Sequence, residues 1–295
     1  MDSVVYYFSG TGNSLVVARD IASRIKAELV SIPSVMGYEK IIPDGDVVGI
    51  VFPDYHSSLP NIVKRFLGKL DELQGRYLFG VCTMGGDGPG LAMHYLKEII
   101  ESKGGTLAFG FAVGMPYNYI IPKLQLSPPF LCVRLNPASA EAQSRKLSDW
   151  EKRIDSIVDY VKERRTGEIK TSAESILGFV ERFRLRDSLG IWVWLKMAGY
   201  KGESVQGFWE NWRFMDFGFN VDERCLGCGT CVKVCPVGNI KLEEGRPVWM
   251  HCCEQCFACL QWCPQSAIQF RKHTRNDNRY HHPDVNIQDM LSGKL

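Results

Sequence analysis

The chain has 295 residues, 45% of them hydrophobic and 23% charged, with a formal net charge of +2. Such a composition is that of a soluble globular protein, and the length gives room for one large or two modest domains. The near-neutral charge argues against a nucleic-acid partner and against strong electrostatic steering. No uncharged apolar run reaches ~18 residues, so no transmembrane helix is expected; residues 189–200 come nearest and are broken by Lys196. No targeting segment is expected before the first strand, which points to a cytoplasmic location.

In chain order, Val4, Val5, Tyr6, Tyr7 and Phe8 form a short apolar run, read as a buried parallel strand. It leads directly into Ser9, Gly10, Thr11, Gly12, Asn13 and Ser14. Leu15, Ala18, Ile21, Ala22 and Ile25 then follow at helical spacing. A strand, a hydroxyl- and glycine-rich turn and a helix make a phosphate site, because glycines let the backbone approach and the helix N-terminus favours negative charge. The turn has neither a Walker ending nor the G-x-G-x-x-G of dinucleotide folds. An ordinary N-capped turn is the plain alternative.

A strand at 28–32 and an apolar strand at 47–52, ending at Pro53, come next. Leu59 and Pro60 open a helix carrying Ile62, Val63, Phe66 and Leu67 on one face. The strand at 77–82 runs into Thr83, Met84, Gly85, Gly86 and Asp87, followed by a helix with Leu91, Tyr95, Leu96 and Ile99. A strand at 106–113 and a closing helix at 141–161, with Trp150, Ile154, Ile157 and Val161, complete an alternating α/β unit. A doubly wound sheet places its ligand outside the carboxyl ends of the strands. The loops there are 9–14, 53–59 and 83–90, and residues 115–119 leave the fifth strand on the same side as a weaker lid. Pro53, Asp54, Tyr55 and His56 are candidates to edge a bound ring in the second loop. Thr83, Met84, Gly85, Gly86 and Asp87 are candidates in the third.

Residues 164–170 are polar and read as the end of the first domain. Residues 175–219 are too aromatic for a flexible linker. Phe179, Phe183, Trp192, Trp194, Phe208, Trp209, Trp212, Phe214, Phe217 and Phe219 must bury their rings, and helical packing that welds two modules is preferred over an exposed patch.

Nine of the eleven cysteines lie between 225 and 263. Cys225, Cys228, Cys231 and Cys235 precede Pro236, and Cys253, Cys256, Cys259 and Cys263 repeat the spacing before Pro264. Zinc sites use paired C-x-x-C motifs with a longer spacer, and disulfides need an oxidising compartment, so neither explains a third evenly spaced cysteine. Cys252 falls outside the spacing and reads as a packed bystander; Cys82 and Cys132 read as ordinary thiols. Beyond Pro264, Ile268 and Phe270 suit a last short strand. The tail holds Arg271, Lys272, His273, Arg275, Arg279, Tyr280, His281 and His282, and is read as solvated or docked between domains. His251 reads as structural.

The cysteine runs resemble bacterial ferredoxins with two 4Fe–4S clusters, in which each run supplies three thiolates to one cluster and its fourth crosses to the other. The resemblance assigns Cys225, Cys228, Cys231 and Cys263 to cluster I, and Cys253, Cys256, Cys259 and Cys235 to cluster II. The 9–14 turn resembles the phosphate loop of flavodoxins, which implies FMN and a five-stranded parallel sheet of order 2-1-3-4-5. Together they resemble fused flavodoxin–ferredoxin proteins of anaerobic bacteria and archaea. The second loop lacks the tryptophan of many small flavodoxins. The implied domains are a flavodoxin-like unit at 1–165, an aromatic helical connector at 166–218, an α+β ferredoxin-like unit at 219–271 and a basic tail at 272–295. The implied function is electron relay between two clusters and FMN, with redox proteins as partners; a second copy of the chain stays open as another. The alternatives are an FMN-dependent reductase of a quinone or nitro compound, and a non-enzymatic redox sensor.

Overall fold

The computed structural model describes residues 2–86, 90–118, 139–167, 195–196, 198–202, 211–271, 274 and 278–292, with the backbone of 124–126 and 131–133. The expectations for Asp87, Tyr119, Lys272, His273, Arg275, the Cys132 side chain and the six connector aromatics before residue 210 lie outside the described residues.

The N-terminal half is a five-stranded parallel sheet of order β2-β1-β3-β4-β5, the winding of a flavodoxin. Its strands are β1 (Ser3–Tyr7), β2 (Glu28–Ser31), β3 (Val47–Pro53), β4 (Tyr77–Met84) and β5 (Leu107–Gly114). The central strands are buried along nearly their whole length, as apolar runs covered on both faces must be. β2 stops at Ser31, one residue early, because Pro33 sits in the first turn of the short helix α2 (Ile32–Val35) and has no N–H for a ladder.

Helices α1 (Asn13–Ile25), α3 (Asn61–Lys69), α4 (Ala92–Ser102) and α5 (Ala140–Lys162) flank the sheet. The buried faces of α3 and α5 are the ones their apolar spacing marks: Ile62, Val63, Phe66 and Leu67 in one, Trp150, Ile154, Ile157 and Val161 in the other. Trp150 Nε1 donates to Asp20 on α1 at 2.8 Å. The Tyr77 hydroxyl donates to the carbonyls of Tyr160 and Arg165, latching the end of α5 to the start of β4. A small antiparallel pair, β6 (Leu124–Leu126) and β7 (Leu131–Val133), was not foreseen.

The C-terminal unit is built around two short antiparallel pairs. β8 (Phe219–Val221) pairs with β11 (Ile268–Phe270), as the ferredoxin pattern requires. Between the cysteine runs, β9 (Ile240–Glu243) and β10 (Arg246–Trp249) form a hairpin that was likewise not foreseen. Its turn is Glu244-Gly245, both at positive φ (49° and 75°), the signature of a type I′ turn. Each run ends in a short helix, α6 (Thr230–Val234) and α7 (Ala258–Gln261). Phe257, at φ 57°, occupies in the second run the left-handed position that Gly229 holds in the first.

Of the connector aromatics that are described, Trp212 and Phe219 bury their rings as expected and Phe214 is half-buried, but Phe217 is 44% exposed. Trp212 is 2% exposed, and its ring meets His56 of the sheet domain at 4.1 Å. His251 is structural: its Nδ1 lies 2.7 Å from Asp216 Oδ1, and its ring stacks on Phe217. A last helix, α8 (Ile287–Ser292), ends the described chain. No helix among the described residues is long and apolar enough to cross a membrane.

Candidate functional site

Eight of the cysteines line two cavities. One is walled by Cys225, Cys228, Cys231 and Cys263. The other is walled by Cys235, Cys253, Cys256 and Cys259. In each, three thiols come from one tight loop and the fourth from the other run. No three His, Cys, Asp or Glu side chains among the described residues converge closely enough for a single metal ion. The thiols surround a volume rather than a point, which suits a bulky inorganic cluster better than zinc.

The backbone supports sulfur anions in a repeated way. Asn239 N–H donates to Cys235 Sγ at 3.2 Å and Ala267 N–H to Cys263 Sγ at 3.3 Å, the same four-residue step after each Cys-Pro. Gln255 N–H donates to Cys253 Sγ at 3.2 Å. Burial pushes the Cys231 thiol up to about 11, and the Cys253 and Cys259 thiols well above their ordinary range. Bare thiolates are therefore disfavoured here, and bound iron is what would hold them deprotonated. Trp249 Nε1, buried in the second cavity's wall, offers its N–H on the Cys259 side and works against that rise. The Thr230 hydroxyl lowers the more exposed Cys228 thiol. Cys252 is outside both cavities. It is exposed rather than packed, with its N–H and Sγ both on Asn239 Oδ1, which corrects the expectation of a buried bystander.

The second constellation lies at the carboxyl ends of the strands. Gly12 caps α1 at φ 97°, a conformation that suits only glycine, and Thr11, Asn13 and Ser14 are buried. Ser14 Oγ and Thr83 Oγ1, 2.7 Å apart, join the first loop to the third. Gly12 N–H donates to Ser9 Oγ, and Asn118 Nδ2 donates to Thr11 Oγ1, so residues 115–118 do close over the loop. Asn13 Nδ2 donates to Pro116 O. Tyr117 lies against Gly85, and Lys146 Nζ donates to Gly85 O at 2.6 Å. Pro53 pairs with Thr83 across the sheet, and Asp54 N–H donates to Thr83 O. Met84 O accepts from Met115 N–H, while Gly86 faces solvent. His56 turns away to Trp212, whereas Tyr55 is directed inward, edge-on to Phe8.

Sequence reasoning missed the C-terminal tail here. Tyr280 donates its hydroxyl to Asn13 Oδ1 at 2.7 Å, and His282 N–H donates to Thr11 O at 2.8 Å. Val285 packs on Gly12. Of the two readings of the tail, solvated or docked, these contacts match the second. No local pattern marks a Tyr-x-His segment as the cover of a loop some 270 positions away.

The donors around this loop fit a phosphate only in part as they stand, because each side chain of Thr11, Asn13 and Ser14 is already hydrogen-bonded within the protein. The first-turn N–H groups of α1 remain the natural anion donors. Two buried polar atoms nearby, Tyr55 Oη and His282 Nε2, have no partner among the described residues. His282 Nδ1 accepts from Asp284 N–H at 3.2 Å, so in the neutral ring Nε2 carries the proton and is a donor. Burial holds that ring below its ordinary pKa and hence neutral.

Comparison with known proteins bears on the C-terminal unit first. Residues 221–241 match the family of a 4Fe-4S binding domain, and residues 253–267 match a second 4Fe-4S binding domain. Over 48 residues the chain is 42% identical to a component of the ion-translocating oxidoreductase complex of Methanosarcina acetivorans, covering 16% of this chain and 18% of that one. Over 47 residues it is 38% identical to a ferredoxin of Pyrobaculum islandicum, covering 15% of this chain and 43% of that one. The matched stretch thus spans less than half the length of either curated relative. Among solved structures, a putative flavoprotein from Bacteroides uniformis aligns over 38% of this chain and 90% of its own, with 19% identity and a TM-score of 0.32. The two-electron reduced flavodoxin of Megasphaera elsdenii aligns over 39% of this chain and 85% of its own, with 25% identity and a TM-score of 0.29.

Proposed function

We propose that the chain is an electron-transfer iron–sulfur flavoprotein holding two 4Fe–4S clusters and one FMN. Cluster I would be held by Cys225, Cys228, Cys231 and Cys263, and cluster II by Cys235, Cys253, Cys256 and Cys259. The observation that carries this reading is the crossed set of thiols: each cavity draws three from one run and one from the other.

The FMN phosphate would be held by the backbone of residues 9–14 and the N-terminus of α1, with Ser9, Thr11 and Ser14 supplying hydroxyls once their internal bonds yield. The strand ends at Pro53, Asp54, Tyr55 and Thr83 to Gly86 would border its ring. Bound FMN supplies a group that takes one or two electrons, where each cluster takes one. The chain's part is to bind and orient these groups and to tune them through N–H···S bonds and burial. Joining them on one chain replaces a diffusional encounter with a fixed neighbour. The donor and acceptor are redox proteins docking from outside.

Anaerobic purification followed by iron, sulfide and flavin analysis tests the reading. The expected result is about eight iron atoms per chain, four to each cubane, with one flavin and the broad visible absorption of both chromophores. A colourless protein carrying zinc would overturn it.

A further inference from the structure

The two cysteine cavities are not equivalent toward the sheet domain. The loop of the second run is pressed against the phosphate loop: a Cβ added at Gly10 would sit 2.5 Å from Cys256 O and 2.9 Å from Cys256 Cβ. The same position would be 3.1 Å from the Tyr55 hydroxyl. Trp262 Nε1, between Cys259 and Cys263 of this run, donates to Gly10 O at 3.1 Å. Cys256, Ala258 and Trp262 are part of the sheet domain's own apolar core.

Between Cys253 and Cys256 lies Glu254, a carboxylate only 3% exposed. Its Oε2 accepts from Ile62 N–H at 3.0 Å, in the first turn of α3, and its Oε1 accepts from Arg65 at 2.9 Å. A buried charge placed inside a cysteine loop and satisfied wholly by the other domain acts as a bolt. The first run has the opposite surroundings. Leu226 is 73% exposed, and Cys228 is exposed.

We propose that the cluster in the Cys256 cavity is the one that exchanges electrons with the flavin, and that Glu254 is the positioning residue fixing the distance. The cluster in the Cys228 cavity is the outer station, facing the donor. This rests on the iron–sulfur flavoprotein reading above. In the reducing direction a one-electron carrier protein gives an electron to cluster I and is itself oxidised. Cluster I passes it to cluster II, and cluster II to the flavin. Two such passages, with two protons from solvent, complete the flavin's reduction and return both clusters to their oxidised state.

The test is the emission of the bound flavin in the whole, cofactor-loaded chain, read as lifetime and yield. An adjacent cluster quenches an excited flavin by electron transfer, and that quenching falls steeply with distance. In Cys228→Ser, depleted in cluster I, the flavin should stay quenched. In Glu254→Gln, at unchanged iron and flavin content, the emission should rise several-fold. The glutamine keeps the size and an acceptor for Ile62 N–H while removing the charge that Arg65 clamps. Arg65→Gln, on the half-exposed side of the pair, should raise the emission less and carries the test if Glu254→Gln does not fold. A rise in Cys228→Ser with no rise in Glu254→Gln or Arg65→Gln overturns the assignment of the inner cluster. Quenching unaltered in all three overturns the positioning role. Clusters present without any flavin would instead defeat the underlying reading.

Discussion

The sheet domain and the cysteine domain hold together by different means. The first has a core of its own, with Phe8, Phe52, Phe66, Phe79 and Phe109 each almost fully buried between sheet and helices. Among the described residues the second has a much smaller apolar cluster, and cysteines are members of it: Cys231 and Cys259 are buried there, with Cys235, Cys253 and Cys263 packed alongside. Its strands are three or four residues long, and two cysteine-lined cavities lie beside that cluster. One domain is organised by side-chain packing, and the other by a small apolar cluster in which thiols take part.

The largest expected effect follows from that contrast. Removing iron by oxidation and chelation should unfold residues 219–271 while the sheet stays folded. Limited proteolysis with mass analysis checks it: cleavage should concentrate between residues 219 and 271 and leave an N-terminal fragment resistant. Equal protection of both regions after iron loss would show that the second domain stands without its clusters. The converse lesion is Phe79→Ala, in a ring stacked on Phe109 at 5.4 Å. It should cost about 3–5 kcal/mol of sheet stability, since burial and packing are both lost. Chemical denaturation followed by far-UV signal should register that loss, with the cluster absorption bleaching only when the sheet melts.

The same contrast explains what the sequence disclosed. Thiols at fixed spacing can be grouped from the sequence alone, and the two cavities are lined by the same two sets of four that the ferredoxin resemblance implied. Parallel strands buried on both faces read as apolar runs, so the five strands, their winding and the buried faces of α3 and α5 were legible too. The joint between the domains was not. Glu254 reads as a lone charge in a cysteine loop, because its partners at Ile62 and Arg65 lie some 190 positions away. Tyr280 and His282 read as part of a basic tail, although they close on Asn13 and Thr11. Such contacts have no period, and only the folded chain brings them together. Likewise Cys252 lacked any signal separating packed from exposed; its hydrogen bonds to Asn239 set it at the surface.

Gly10→Ala probes that joint directly. The added methyl meets the backbone oxygen of Cys256, which has little freedom to retreat because Glu254 and Trp262 tie down both sides of its loop. The expected cost is about 1–3 kcal/mol, the usual penalty of overpacking. It should appear as a lower melting temperature for cluster bleaching than in the unaltered protein. Full retention of both transitions would mean that the domains separate freely at this contact.

The smallest effect separates the domains by pH. Burial pushes the Tyr77 phenol up to about 12 from an ordinary 10.0, and its hydroxyl is the donor that latches α5. A folded pKa above the unfolded one gives stability that is fully present below pH 10 and is lost as the pH rises through 12. At neutral pH, Tyr77→Phe should therefore cost about 1 kcal/mol, the net worth of a buried hydrogen bond. Measured from pH 8 to 12, the melting temperature of the unaltered chain should fall toward that of the variant, and the gap should close near the upper end. The latch belongs to the sheet domain alone, so the gap should be seen in the far-UV transition and be absent from any earlier bleaching of the clusters. A gap constant across that range would mean that the phenol ionises no differently in the folded and unfolded chain, and that the α5 latch is held by packing rather than by its proton.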